Sequence, residues 1–420
     1  MSRNNVTASP RHLLSLEAMR GLASLWVMVG HGLSWQPFAP RQWEGIPPWW
    51  KQWLFVWSPG HLGVVLFFLL SGYVIGKAYP SDRALLPGVY VLKRFIRIWP
   101  IFAVSILLGC LVVPVSSWSL VVEALMLVRD FLPQNPVIWS VCYEFWFYLT
   151  LPLFFLVAAP RRRWLALGVA LLGLFASLVG YTIFRSGVPV IGSWITGLTL
   201  WLAGLLAAWF TGPPAPEASP HPRFLPALLM LMALAGSANG LLGVVNALQL
   251  DWQLTSGRVF LLDLLFLPLS AVVFAALLGF RPRPWWFLAY GGSAGLLLLL
   301  VMAAALKGAL LESGNWTASL LLGALSAGLW FRPTLPSAGW WSSSVLGLAP
   351  LGAISYGIYV FHIPSMMLVG QMPASIVLPL PLEWTARFLL AFGIVVLGSA
   401  LFELRIQPRI RRRALAWFAS

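Results

Sequence analysis

Leu13-Leu-Ser-Leu-Glu-Ala-Met-Arg-Gly-Leu-Ala-Ser-Leu-Trp-Val-Met-Val-Gly-His-Gly-Leu33 decides the fold class. A transmembrane helix needs about 20 predominantly apolar residues, and this stretch supplies them with Glu17, Arg20 and His31 embedded. A charged side chain at the bilayer centre costs roughly 2.5 to 3.5 kcal/mol even on the lenient insertion scale. Arg20 and its neighbours therefore mark polar chemistry inside a membrane.

Outward from this stretch, eleven more follow: His61 to Tyr79, Trp99 to Val115, Val137 to Ala159, Trp164 to Phe184, Val190 to Phe210, Phe224 to Leu248, Val259 to Phe280, Phe287 to Leu311, Trp316 to Phe331, Pro350 to Val369 and Trp384 to Leu404. The chain is 60% hydrophobic and 9% charged, with a mean hydropathy of +0.84. Soluble domains carry about a quarter charged residues, so the fold expected is an all-α polytopic membrane protein of about 10–12 transmembrane helices. One integral-membrane domain over 1–420 is expected, without an appended soluble domain. The Pro-rich segment 211–223 reads as a flexible cytoplasmic loop.

The net charge of +15 falls in short basic runs between apolar stretches, among them Lys93-Arg-Phe-Ile-Arg97, Arg161-Arg-Arg163 and Arg411-Arg-Arg413. That pattern marks topology, not nucleic acid. With the N-terminus inside, twelve spans place roughly 20 of the 27 Lys and Arg on the cytoplasmic side, as the positive-inside rule expects. Both termini are then cytoplasmic. Glu17 and Arg20 interrupt the apolar core that a cleaved secretory signal would need, so the first stretch is read as retained. Cys110 and Cys142 lack zinc-ligand spacing and read as small buried side chains; no metal is expected. The 24 tryptophans suit membrane interfaces, although Trp43, Trp49, Trp50, Trp53 and Trp57 crowd one loop that would also serve as an aromatic lid over a sugar ring.

Six short motifs follow one another along the chain: Arg20-Gly-Leu-Ala with His31; Phe67-Phe-Leu-Leu-Ser-Gly-Tyr73; Arg94-Phe-Ile-Arg97-Ile-Trp-Pro100; Trp139-Ser-Val-Cys-Tyr-Glu144 with Tyr148; Ser355-Tyr-Gly-Ile-Tyr-Val-Phe-His362; and Glu403 followed by Pro408. Together they resemble the acyltransferase 3 family of membrane acyltransferases. The resemblance covers residues 12 to 148 and 350 to 410, whereas 160 to 349 reads only as generic apolar spans. Val65 stands where many members carry an acidic residue. The resemblance implies transfer of an acyl group, acetyl being the expected one, to a hydroxyl of a cell-envelope glycan or similar acceptor at a bacterial inner membrane. Acyl-CoA is the implied co-substrate, with no tightly bound cofactor.

Helix geometry adds depth to these residues. At about 1.5 Å per residue, Arg20 and His31 lie about 16 Å apart along one helix. With the N-terminus inside, His31, Glu144 and His362 are expected to converge in the outer half, and Arg94 and Arg97, one turn apart on one face, to mark the cytoplasmic mouth. Guanidinium forks suit phosphates, so Arg94 and Arg97 are expected to hold the donor, with Arg20 lining its tunnel or pairing with Glu17. His31 is expected as general base or transient acyl carrier, with Glu144 and His362 orienting it or polarising the thioester. Trp139, Tyr148 and Tyr356 are acceptor-side candidates. Plain alternatives remain for each: topology signalling for the arginines, snorkelling for His31 and His362, and a protonated helix-packing acid for Glu144. His61 reads as a span-end residue, and His12 and His221 as solvated loop residues. A secondary transporter or flippase for a lipid-linked glycan is the rival function, because intramembrane charges also mark transporters; no internal repeat of broken helices accompanies them.

Overall fold

The computed structural model describes residues 10–34, 48–183, 189–211, 220–247, 256–306, 308, 314–332, 344–372 and 380–417. Among these there is no strand. The elements are α1 (Pro10–Ser34), α2 (Pro48–Trp57), α3 (Gly60–Ala78), α4 (Pro87–Val112), α5 (Trp118–Leu125), α6 (Ile138–Phe154), α7 (Ala159–Ile183), α8 (Pro189–Phe210), α9 (Phe224–Ala247), α10 (Ser256–Leu277), α11 (Pro284–Leu306), α12 (Gly314–Phe331), α13 (Ala349–Gly352), α14 (Ser355–Gly370), α15 (Leu380–Ala400), a π-helical turn (Leu401–Ile406) and α16 (Gln407–Trp417). Hydrocarbon offers no partner to a backbone amide, so apolar segments satisfy themselves as helices.

Each expected span overlaps a helix of the described residues. Among the described residues, five segments are long and apolar enough to cross a membrane singly: Leu13–Ser34, Trp49–Ala78, Pro87–Val112, Pro284–Leu306 and Leu382–Ala414. The expected eleventh span, 350–369, is not straight: Ser344–Gly352 and Ser355–Gly370 meet at a bend of 75°. The third begins earlier than expected, because Pro87 opens α4, a position where its missing N–H costs nothing. Arg94 and Arg97 therefore lie inside a helix. Much of the Pro-rich loop, 212–219, and Trp43 fall outside the described residues.

The site is built by α1, α3, α4, α6 and α14. Helix α1 packs on α3 and α14, and α14 also packs on α4 and α15. Helix α3 is clamped on its other side by α8, where a Cβ at Gly72 would collide with the Trp201 carbonyl and one at Gly204 with the Leu69 carbonyl. Small residues let helix backbones approach this closely in membranes. A second group, α9 to α12, packs together, with α2 laid across α12. The tryptophans of α2 meet one another in series, Trp49 stacked on Trp50 at 4.6 Å, Trp50 edge-on to Trp53 and Trp53 tilted against Trp57. His221 is not a solvated loop residue: its ring meets Trp286 at 5.7 Å, its backbone N–H donates to Ala276, and burial, then Arg223, lowers its pKa. The His12 side chain lies outside the described residues. Cys110 and Cys142 are free thiols.

Candidate active site

His31 on α1 and His362 on α14 meet although 331 residues separate them: Nδ1 of His31 lies 3.1 Å from Nε2 of His362. His362 Nδ1 faces the Tyr359 carbonyl at 2.6 Å. A carbonyl only accepts, so the His362 proton sits on Nδ1 and Nε2 is an acceptor. His31 Nδ1, which also lies 3.0 Å from the Val27 carbonyl, must then carry the proton donated to that pair of acceptors. The basic nitrogen of His31 is Nε2. His362 is fully buried with both nitrogens engaged, which suits orienting His31 and sharing its charge; a thioester carbonyl would have to displace one of those contacts.

His31 lines a cavity of about 300 Å³ together with Trp139, Phe55, Phe266, His61 and Asp263. From α2 it is Phe55, not one of the tryptophans, that reaches this wall. His61 Nε2 is 2.8 Å from Asp263 Oδ2, and the Asp263 side chain is 1% exposed. Sequence reasoning placed His61 at a span end and passed over Asp263. The signal was present: Asp263 is a carboxylate inside an apolar stretch, the same criterion that singled out Glu144.

A larger cavity, about 640 Å³, adjoins the first across Val64 and Tyr359, which line both. It gathers Arg20, Arg94, Arg97, Glu144, Tyr148, Tyr356 and Glu403 within walls of Phe67, Leu70, Ile98 and similar side chains. Tyr148 donates to Glu144 Oε1 at 2.6 Å and contacts Ser71 Oγ at 2.9 Å. The Arg94 guanidinium faces the rings of Tyr79, Tyr90 and Tyr148 at 5.7, 5.7 and 5.8 Å, and its Nε is buried with no hydrogen-bond partner among the described residues. Arg20 pairs with Glu17 at 3.2 Å, as one of its expected roles had it. Glu403 Oε1 accepts the Gly357 backbone N–H at 2.6 Å. Beyond lies a third cavity of about 490 Å³, sharing Arg94, Arg97, Glu403 and Gln407 with the second and adding Lys93, Arg411 and Arg412.

These positions divide the expected site. His31 and His362 converge, whereas Glu144 sits with the arginines and Tyr148, not beside the histidines. Tyr148 and Tyr356 likewise line the arginine cavity, leaving Trp139 as the acceptor-side candidate in the His31 cavity. The reason lies along α3: His61 lines the first cavity, Phe67 to Ile75 the second, and Tyr79 just past its end the third. His61 and Tyr79 are about 27 Å apart at helical rise, close to the roughly 30 Å of a hydrocarbon core.

The family model described as an acyltransferase domain, Acyl_transf_3, matches residues 13–294 of this chain. The chain belongs to the acyltransferase 3 family. Several of its helices are long and apolar enough to cross a membrane. The matched residues run through 160–294, which the motifs left as generic spans, and include Asp263. Among curated proteins, the chain is similar to "Acyltransferase MdmB" of Streptomyces mycarofaciens, 32% identical over 179 residues, covering 38% of this chain and 44% of the relative. It is also similar to "Protein 2 in picA locus" of Rhizobium radiobacter, 28% identical over 102 residues, covering 24% of this chain and 44% of the relative. The chain thus matches less than half the length of either relative. No solved structure matches it.

Proposed function

We propose that this acyltransferase moves an acyl group, acetyl first among candidates, from cytoplasmic acyl-CoA to a hydroxyl of an extracytoplasmic glycan or similar acceptor. One observation carries the reading: the adjoining cavities have Arg94, Arg97, Arg411 and Arg412 at one end and the His31–His362 pair at the other. Phosphates of the donor are held by the arginines, whose planar forks match them. The pantetheine arm lies in the apolar middle cavity and brings the thioester towards Tyr359. His31 Nε2 takes the proton of the acceptor hydroxyl as its oxygen attacks the thioester carbonyl. The carbon–sulfur bond breaks, and the departing thiolate takes that proton from His31. His362 and the Tyr359 carbonyl hold the imidazole in the tautomer that keeps Nε2 basic before each turnover.

With the N-terminus cytoplasmic, as the basic loops favour, the arginine end opens inside and the His31 end outside. The rival transporter reading gains little: one bent helix pair, not a matched pair in two halves, is present among the described residues. Loss of a general base costs about 10²- to 10⁴-fold. His31→Ala in lipid nanodiscs is therefore expected to lower acceptor-dependent release of CoA thiol from acetyl-CoA by that factor, with donor binding retained. Turnover equal to the unmodified protein would remove His31 from the chemistry.

A further inference from the structure

The His61–Asp263 pair is not used by the transfer chemistry above, yet it shares the His31 cavity. It joins α3 to α10 across 202 residues, inside segments where a carboxylate has to be compensated. The compensation is half made. Oδ2 of Asp263 is held by His61 at 2.8 Å, while Oδ1 is buried and has no hydrogen-bond partner among the described residues. A carboxylate oxygen is an acceptor only, so what completes it must bring an O–H or N–H. The walls beside it, Trp139, Phe55 and Phe266, are aromatic, and the volume of about 300 Å³ lies at the small end of ligand pockets. One ring-sized hydroxylated unit fits that description.

We propose that Asp263, held in place by His61, is a hydroxyl-binding subsite for the acceptor: its Oδ1 accepts a hydrogen bond from a hydroxyl neighbouring the one presented to His31 Nε2. The acceptor is then recognised as a vicinal diol or a longer polyol on a ring, and a simple alcohol is a poor substrate. This rests on the His31 cavity being the acceptor site. Asp263 acts as a positioning residue, since it touches a hydroxyl that is not acylated. His61 fixes which carboxylate oxygen is left for the acceptor.

The test inverts the polarity of the contact. Full-length protein in nanodiscs is given acetyl-CoA and one of two probes, cis-1,2-cyclohexanediol or cis-2-fluorocyclohexanol, and ester formation is followed by mass spectrometry. Fluorine accepts a hydrogen bond but donates none, so the unmodified protein is expected to favour the diol by about 10-fold or more in kcat/KM, because a site built around a substrate hydroxyl rejects the analogue that lacks it. Asp263→Asn keeps an oxygen for His61 and turns an N–H towards the probe. The preference should then shrink to about 3-fold or less, with the KM for acetyl-CoA unchanged. No preference in the unmodified protein, which needs no variant to be measured, overturns the subsite, as does an undiminished preference in Asp263→Asn. Absence of both acetyl-CoA binding by calorimetry and acylation of either probe is a different failure: it removes the donor assignment. Donor binding with neither probe acylated counts against the subsite alone.

Discussion

Arg94 combines aromatic packing with an unused donor. Three tyrosine rings surround its guanidinium, a cation–π cage that stabilises charge in apolar surroundings, yet Nε is left without a partner among the described residues. A guanidinium so placed can still donate to an incoming anion. Arg97, one turn further along α4, lines the same two cavities. Hydrogen bonds to charged groups contribute about 1.5 to 3 kcal/mol, so Arg94→Ala and Arg97→Ala are each expected to raise the KM for acetyl-CoA by roughly 10- to 100-fold. The acceptor KM should move little, because both arginines lie on the far side of Val64 and Tyr359 from the His31 cavity. Initial rates with each substrate varied in turn separate the two constants, and an unchanged donor KM in both variants would remove the phosphate role.

Among the elements, two proline-bearing helices of the site, α4 and α14, are repaired by side chains from elsewhere. Pro364 lies inside α14 and Pro100 inside α4; each removes one amide and frees the carbonyl four residues earlier. The Val360 carbonyl freed by Pro364 accepts from Asn135 Nδ2 at 3.0 Å, and the Ile96 carbonyl freed by Pro100 accepts from Gln407. Asn135 is fully buried and also donates to Ser105, so it ties α4 to the helix that carries His362. Asn135→Leu is expected to cost about 1 to 2 kcal/mol, lowering the melting temperature in detergent. Because the lost contact lies within one turn of His362, kcat should fall while the donor KM holds. A variant with unaltered melting and kcat would show that water or relaxation replaces the amide. The π-helical turn at Leu401–Ile406 serves a related end. It carries Glu403 to the first turn of α14, where a carboxylate meets unpaired amides and the positive end of the helix dipole.

For the molecule as a whole, the proposed two-sided transfer rests on cavities in series. The arginine end and the His31 end are separated by most of α3, about the thickness of the hydrocarbon core. Basic side chains gather at the first end: Lys77 donates to the Ala208 carbonyl in the last turn of α8 and to the Thr211 carbonyl just past it, and Arg162 donates to the Ser81 and Arg83 carbonyls. In oriented proteoliposomes, acetyl-CoA supplied only on the face carrying Arg411–Arg413 is expected to support acylation of an acceptor confined to the opposite face. Product that forms only when both substrates share a face would leave the family membership intact and remove the cross-membrane route.

The helices were legible in the sequence because their cause is local: length, apolar content and the need of each backbone to satisfy itself in hydrocarbon. So was the Glu144–Tyr148 contact, which joins residues four apart on one helix, and the pairing of Arg20 with Glu17. The six motifs likewise pointed to the acyltransferase 3 family, by their resemblance to it in order along the chain. What the sequence could not contain was which helix faces which. Helix rotation and depth are set by packing, as where Gly72 and Gly204 let α3 and α8 close together. That packing sent Glu144 to the arginines instead of the histidines. Depth along the helices already brought His31 and His362 to one half of the membrane, but their contact and the partnership of His61 with Asp263 were decided by tertiary structure, because those partners are hundreds of residues apart and no local periodicity records their encounter.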